Sequence, residues 1–214
     1  MSDKALGIEQ KSFEIIDAEV GQNEYSGLEW EIVRRVIHST ADFDFARDNK
    51  IIFRNNPIGS GLGALERKCA IVTDVDMVVS GINKNSVKKL GLKVSCHISE
   101  ESVIQNSIKS NKTRAQLAMR YARSEIHGGI VIVGNAPSSL LELIDMVREN
   151  ASIPALIIGT PVGFVSASES KKELLGLDVP LISNVGRKGG SPVAASIINA
   201  LMLIQRNNTR ASTP

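Results

Sequence analysis

Gly129-Ile-Val-Ile-Val133 runs without a polar side chain into Gly134-Asn-Ala-Pro137, and Leu140, Leu141, Ile144 and Val147 then recur at helical spacing. The first segment is apolar on every residue, so a strand here would bury both of its faces. Pro137 suits a first helical turn, where its missing amide loses no partner. The same texture recurs outward from this point, in Ala70-Ile-Val-Thr73, Leu92-Lys-Val-Ser-Cys-His97, Ala155-Leu-Ile-Ile158 and Leu181-Ile-Ser-Asn-Val185. Helix-period segments lie between most of these runs. Thr113-Arg-Ala-Gln116 caps one reaching to about Ile126, and Ser191-Pro192 opens another with Val193, Ile197, Ala200, Leu201 and Ile204 on its core side. Strand alternating with helix, the strands apolar throughout, predicts an α/β fold: a mostly parallel sheet with helices on both faces.

Upstream of residue 70 the pattern is mainly helical. Ser26-Gly-Leu-Glu29 fits a capping box, in which hydroxyl and carboxylate satisfy orphan amides at a helix start. Leu28, Ile32, Val33, Val36 and Ile37 follow at helical spacing, which puts His38 near the carboxyl end of that helix. An earlier helix is expected around residues 8–20, with Phe13, Ile16 and Val20 on one side.

The chain has 214 residues. With roughly 150 residues per domain as a guide, the expectation is a single domain over 1–205, helical at its amino-terminal end, and a polar, flexible tail over 206–214. Aromatics make up 4% of the chain, and after Phe53 only Tyr121 and Phe164 remain. Single-stranded nucleic-acid platforms need stacking faces, and a net charge of +2 is too weak for a polyelectrolyte binder. No nucleic-acid partner is expected. Cys69 and Cys96 form no CxxC pair and no disulfide framework, and apolar neighbours favour buried, reduced thiols. MSDKALGIEQ has no signal-peptide core and no apolar stretch approaches the ~20 residues of a membrane span. A cytoplasmic protein, without a membrane partner, is the expectation.

Three of the strands run directly into loops of small residues: Gly134-Asn-Ala-Pro137, Gly159-Thr-Pro-Val-Gly-Phe164 and Gly186-Arg-Lys-Gly-Gly-Ser191. Parallel strands would place all three on the carboxyl edge of the sheet, where open α/β sheets bind ligands. Each loop feeds a helix amino terminus, whose amides and dipole favour anions, and Arg187 and Lys188 add charge. Other ligand signatures are missing. Gly59-Ser-Gly-Leu-Gly-Ala64 has its glycines one position too close for a dinucleotide fingerprint. There is no phosphate-loop motif, no Gly-x-Ser-x-Gly elbow and no histidine pair at metal spacing. Cys96 and His97 would point to opposite faces of a strand. Acid–base chemistry remains, with His38 as candidate: a helix carboxyl end favours imidazolium, and imidazole exchanges protons near neutral pH. Position alone favours a structural or surface histidine over a catalytic one.

Lys11-Ser-Phe-Glu-Ile-Ile16, Val36-Ile-His-Ser-Thr40, Val72-Thr-Asp-Val-Asp-Met77, Asn111-Lys-Thr-Arg114, the Gly134 loop, Pro161-Val-Gly-Phe-Val-Ser-Ala-Ser-Glu-Ser-Lys171 and the Gly186 loop come in one order and spacing. Together they resemble the precorrin-8X methylmutases, from about Ile8 to Ile204. The resemblance implies an isomerase of corrin synthesis that moves a methyl group from C-11 to C-12 of the macrocycle. The product would be hydrogenobyrinate, or cobyrinate in the cobalt branch, with no cofactor and no resident metal. It implies a homodimer whose large ligand pockets form with help from the dimer interface. His38 matches the family's catalytic histidine, which would protonate or hydrogen-bond the ring near the migrating methyl. Ser12 matches a substrate-contacting serine, and Arg114 a guanidinium able to fork onto a peripheral carboxylate. The loops, through Gly134, Asn135, Gly163, Arg187, Gly189 and Gly190, would offer backbone amides and charge to other carboxylate arms. Glu169 and Lys171 either form an ion pair or touch substrate. A non-catalytic corrinoid carrier and an unrelated nucleotide-binding α/β enzyme are the competing readings.

Overall fold

A computed structural model describes residues 3–48 and 50–211. The elements in order are α1 (Asp3–Val20), α2 (Gly27–Thr40), a 3-10 turn (Phe43–Ala46), β1 (Ile51–Arg54), α3 (Pro57–Glu66), β2 (Ile71–Thr73), α4 (Asp76–Gly81), α5 (Lys84–Leu90) and β3 (Val94–Cys96). There follow α6 (Glu101–Lys109), α7 (Arg114–Tyr121), α8 (Arg123–Ile126), β4 (Ile130–Val133), α9 (Pro137–Arg148), β5 (Leu156–Gly159), α10 (Ala167–Leu174), β6 (Leu181–Asn184) and α11 (Ser191–Ala211).

The six strands form one sheet in the order β1-β6-β5-β4-β2-β3. Strands β6, β5, β4, β2 and β3 are mutually parallel, and β1 closes one edge antiparallel to β6. Side chains alternate across β4: Ile130 and Ile132 enter one core with α2, α3 and α11, while Val131 and Val133 enter the other with α7, α9 and α10. This explains the unbroken apolar run of the sequence, because both faces of β4 are sealed. The result is a single α/β domain, as expected. Helix α2 buries Ile32, Val33, Val36 and Ile37 against this sheet and α11, each contributing about 1.5–3 kcal/mol.

Local chemistry sets the helix starts. Ser26 and Glu29 close the expected capping box on α2, and Thr113 and Gln116 close one on α7. The helix expected from residue 114 to 126 is interrupted at Ala122, where the backbone turns to ψ 4° before α8. The Gly59–Ala64 segment lies inside α3, and a Cβ on Gly61 would come within 2.9 Å of Leu156 Cδ2, so the glycine permits close helix–sheet packing. Cys69 and Cys96 are half-buried thiols, less enclosed than expected.

The tail corrects the sequence reading. Residues 206–211 continue α11. Arg206 Nη1 donates to Ser86 Oγ at 3.2 Å, and Thr209 Oγ1 to Gln205 O at 2.9 Å. Adding turns to a helix already anchored by its apolar face needs no new nucleus, so polar composition did not end it. Residues 212–214 lie outside the described residues.

Candidate functional site

Because β4, β5 and β6 are parallel, the three small-residue loops that follow them share the carboxyl edge of the sheet. The first is occupied from within. Asp74, at the end of β2, is fully buried and accepts from the amides of Gly134 (3.0 Å), Asn135 (2.8 Å) and Ala136 (2.8 Å). Gly134 and Asn135 form the turn into α9 and Ala136 is its N-cap residue, so the carboxylate sits at a helix start, where negative charge is favoured. Burial raises the Asp74 carboxyl above its ordinary range, against the pull of the three amides. The expectation that Gly134 and Asn135 hold a ligand through their amides is therefore corrected: the protein supplies its own anion. Gly134 is also cramped, since a Cβ there would lie 2.8 Å from Val78 Cγ2. Asp74 stood in the Val72–Met77 motif, directly after an apolar strand, which was the available signal.

The second and third loops lock together. The Gly190 amide donates to Thr160 O at 2.8 Å and the Gly163 amide to Arg187 O at 3.1 Å. These two amides, like those of the first loop, are hydrogen-bonded within the protein. Gly189 has φ +151°, and a Cβ on it would sit 2.3 Å from Thr160 O. Only glycine fits there. What the interlocked loops present outward is side chain. Phe164 and Val165 are 87% and 81% exposed. The Arg187 guanidinium stands 5.8 Å above the Phe164 ring, and among the described residues it pairs with no carboxylate.

His38 occupies the last turn of α2 and is exposed, its ring edge-on to Phe13 at 5.3 Å. Its neighbour Ser39 has its hydroxyl 2.7 Å from that of Ser196 on α11. Helix α11 starts where the third loop ends, so the carboxyl end of α2 lies beside that loop. A cleft of about 340 Å³ between α2, α4 and α11 is lined by Ser39, Met77, Ser191, Pro192, Ser196 and Asn199. Ser12, next to Phe13 on α1, is half-buried and donates to Ile8 O at 2.9 Å.

Arg114 is exposed at the first position of α7. The preceding Thr113 Oγ1 lies 3.3 Å from Ser138 Oγ in the first turn of α9, which puts Arg114 on the same edge of the sheet. The junction is rigid. Glu142 of α9, almost wholly buried, accepts from Lys112 Nζ at 2.7 Å, Gln116 Nε2 at 3.1 Å and Arg120 Nε. Burial alone would raise the Glu142 carboxyl, but Lys112 and Arg120 bring it below its ordinary range.

Glu169 and Lys171 do not form the expected ion pair with each other. Glu169 is exposed, and Lys171 is buried with its Nζ donating to Lys188 O at 2.6 Å and to Asn184 Oδ1 at 3.2 Å. The other two histidines are engaged elsewhere. His97 lies between Glu100 and Glu125, each at 3.1 Å, and His127 Nδ1 accepts from the Ile153 amide at 3.3 Å. Among the described residues no three His, Cys, Asp or Glu side chains are grouped to hold a metal ion, and no helix is long and apolar enough to cross a membrane.

Fold and site together define a doubly covered, mostly parallel α/β domain with a basic carboxyl rim and a histidine at its side. Comparison with known proteins then gives the family. The model of the precorrin-8X methylmutase family matches residues 7–204. The chain is 46% identical over 205 residues to the cobalt-precorrin-8 methylmutase of Leptospira interrogans, covering 92% of each protein. It is 44% identical to that of Priestia megaterium, covering 92% of this chain and 87% of that one. It is 35% identical to the precorrin-8X methylmutase of Pseudomonas aeruginosa, covering 91% and 93%. The crystal structure of precorrin-8x methyl mutase from Thermus thermophilus superposes with a TM-score of 0.88 at 36% identity, over 94% of this chain and 97% of that one. The chain belongs to the precorrin-8X methylmutase family: it is an isomerase that shifts a methyl group within a tetrapyrrole precursor of cobalamin.

Proposed function

We propose that the shift, from C-11 to C-12 of the macrocycle, takes place on the carboxyl rim with His38 beside the reacting edge of the ring. The carrying observation is that an exposed imidazole ends α2 where that helix meets the start of α11 and the Arg187 loop. During a 1,5-shift one carbon–methyl bond breaks as the other forms, so no proton is gained or lost overall. His38 lends a hydrogen bond or proton that draws electron density from the ring, and recovers it afterwards. Arg114 and Arg187, both without an acidic partner among the described residues, grip peripheral carboxylates. Side-chain guanidinium groups thus take the part first assigned to backbone amides. Ser12 lines the approach on the α1 side.

A cleft of about 340 Å³ is at the small end for a ligand pocket, and a macrocycle with several carboxylate arms needs more room. The exposed Phe164 and Val165 offer an apolar surface next to it. A second copy of the chain completes the pocket, so the working form is a homodimer, in the cytoplasm. The relatives at 46% and 44% identity are named for the cobalt substrate and those at 35% and 32% for the metal-free one, which favours cobalt-precorrin-8 giving cobyrinate.

The test is turnover of both substrates by the purified protein, followed in the visible spectrum. Faster conversion of the cobalt form supports the reading. A bound but unchanged chromophore would make the protein a carrier, and preference for the metal-free form would reverse the substrate assignment.

A further inference from the structure

Arg187 is held by its backbone on both sides, while its guanidinium, over the Phe164 ring, has no carboxylate partner among the described residues. Its carbonyl accepts from the Gly163 amide at 3.1 Å. The carbonyl of the next residue, Lys188, accepts from two buried side chains, Lys171 Nζ at 2.6 Å and Asn184 Nδ2 at 2.8 Å. The Lys188 ammonium reaches the other way, 2.7 Å from Asp42 Oδ2 and 2.6 Å from Asp44 Oδ2. Asp42 in turn caps the 3-10 turn after α2 by accepting from the Asp44 amide at 3.0 Å. Lys188 thereby joins the loop carrying Arg187 to the turn that begins just beyond His38.

The mutual effect on ionisation agrees with a closed contact. The hydrogen bond to Asp42 and then that to Asp44 raise the Lys188 ammonium; burial acts to raise the Asp42 carboxyl, but Lys188 and the Asp44 amide together bring it below its ordinary range. With two carboxylates against it, Lys188 is not itself available to an anionic ligand. An exposed ion pair contributes little to global stability. What this one fixes is a distance between two parts of the rim.

We propose that Lys188 is a positioning residue: by bridging to Asp42 and Asp44 it sets the spacing between Arg187 and His38, so that a carboxylate arm held by the first brings the ring to the second. The proposal rests on the rim reading of the function given above.

The experiment is a double-mutant cycle on the full chain. Cobyrinate affinity, read by visible absorbance, and kcat are measured for the unaltered protein, Lys188→Ala, Arg187→Ala and the double variant, with Lys188→Arg as the conservative control. Each alanine variant is expected to weaken binding about tenfold, with unchanged thermal melting. In the Arg187→Ala background the Lys188 change should add less than about twofold, and Lys188→Arg should restore most of the affinity. Lys188→Ala binding and turning over like the unaltered protein, while Arg187→Ala is impaired, overturns the positioning role and leaves the rim reading standing. Effects that multiply in the double variant also overturn it, because Lys188 then acts independently of Arg187. Unchanged affinity in Arg187→Ala overturns the rim reading itself, and the positioning role with it.

Discussion

Asp74 Oδ1 accepts the Gly134 amide at 3.0 Å, joining the end of β2 to the end of β4 and so holding two neighbouring parallel strands in place at the rim. Oδ2 takes the amides of Asn135 and Ala136. An asparagine could accept with one oxygen only, and its NH2 group would face the remaining amide inside the core. Asp74→Asn is expected to lower stability by about 2–3 kcal/mol, read from urea unfolding. A variant as stable as the parent would mean that the three amides do not need the carboxylate.

His38 touches little: it is exposed, with an edge contact to Phe13. Its removal should leave folding and tetrapyrrole binding intact and reduce kcat by about 10²–10⁴-fold, the usual range for a lost general acid. Stopped-flow turnover beside a binding titration checks this. Wild-type kcat in His38→Ala removes the imidazole from the mechanism.

The reach of the sequence follows the range of the forces involved. Strands β4 and β5 were legible because every residue had to be apolar to seal two faces. The starts of α2 and α7 were legible because a capping box is complete within four residues, Ser26 to Glu29 and Thr113 to Gln116. The rim itself could be placed from glycine after strand. Occupation of its amides could not, since Asp74 and Gly134 are 60 residues apart and nothing local to either announces the other. Lys171 was hidden for a similar reason. In Ser-Glu-Ser-Lys-Lys-Glu it reads as one more solvated charge, and only Asn184 and the Lys188 carbonyl, 13 and 17 residues away, explain its burial. The tail failed in the opposite sense, because polar composition says little about a helix already anchored upstream.

Gly189 carries the closest backbone approach on the rim. At φ +151°, with Thr160 O only 2.3 Å from where a Cβ would be, Gly189→Ala must either shift the Thr160 backbone or unseat the loop. The expected loss is about 2 kcal/mol of stability, with weaker cobyrinate binding because Arg187 moves with the loop. Denaturant melts and the absorbance titration read the two effects. Unchanged values for both would show that the second and third loops are not interlocked through this residue.

Lys171 gives the enzyme a pH dependence of stability that can be isolated. Burial pushes its ammonium down to about 8, whereas an unfolded lysine titrates near 10.4. Below pH 8 both states hold the proton and the folded state bears the whole cost of burying it. Between the two values the folded state releases its proton while the unfolded state keeps it, so the cost fades, and above 10.4 none remains. The contribution of this group to stability therefore rises with pH across that window, by up to about 2–3 kcal/mol. Lys171→Met has no proton to release and lacks the rise, whatever it loses by leaving Asn184 Oδ1 without its donor. Urea midpoints for both proteins between about pH 7 and pH 10 should diverge in favour of lysine as pH increases. A difference that stays constant over that range would mean that the ammonium is solvated, and that the Lys188 carbonyl is not held by a buried cation.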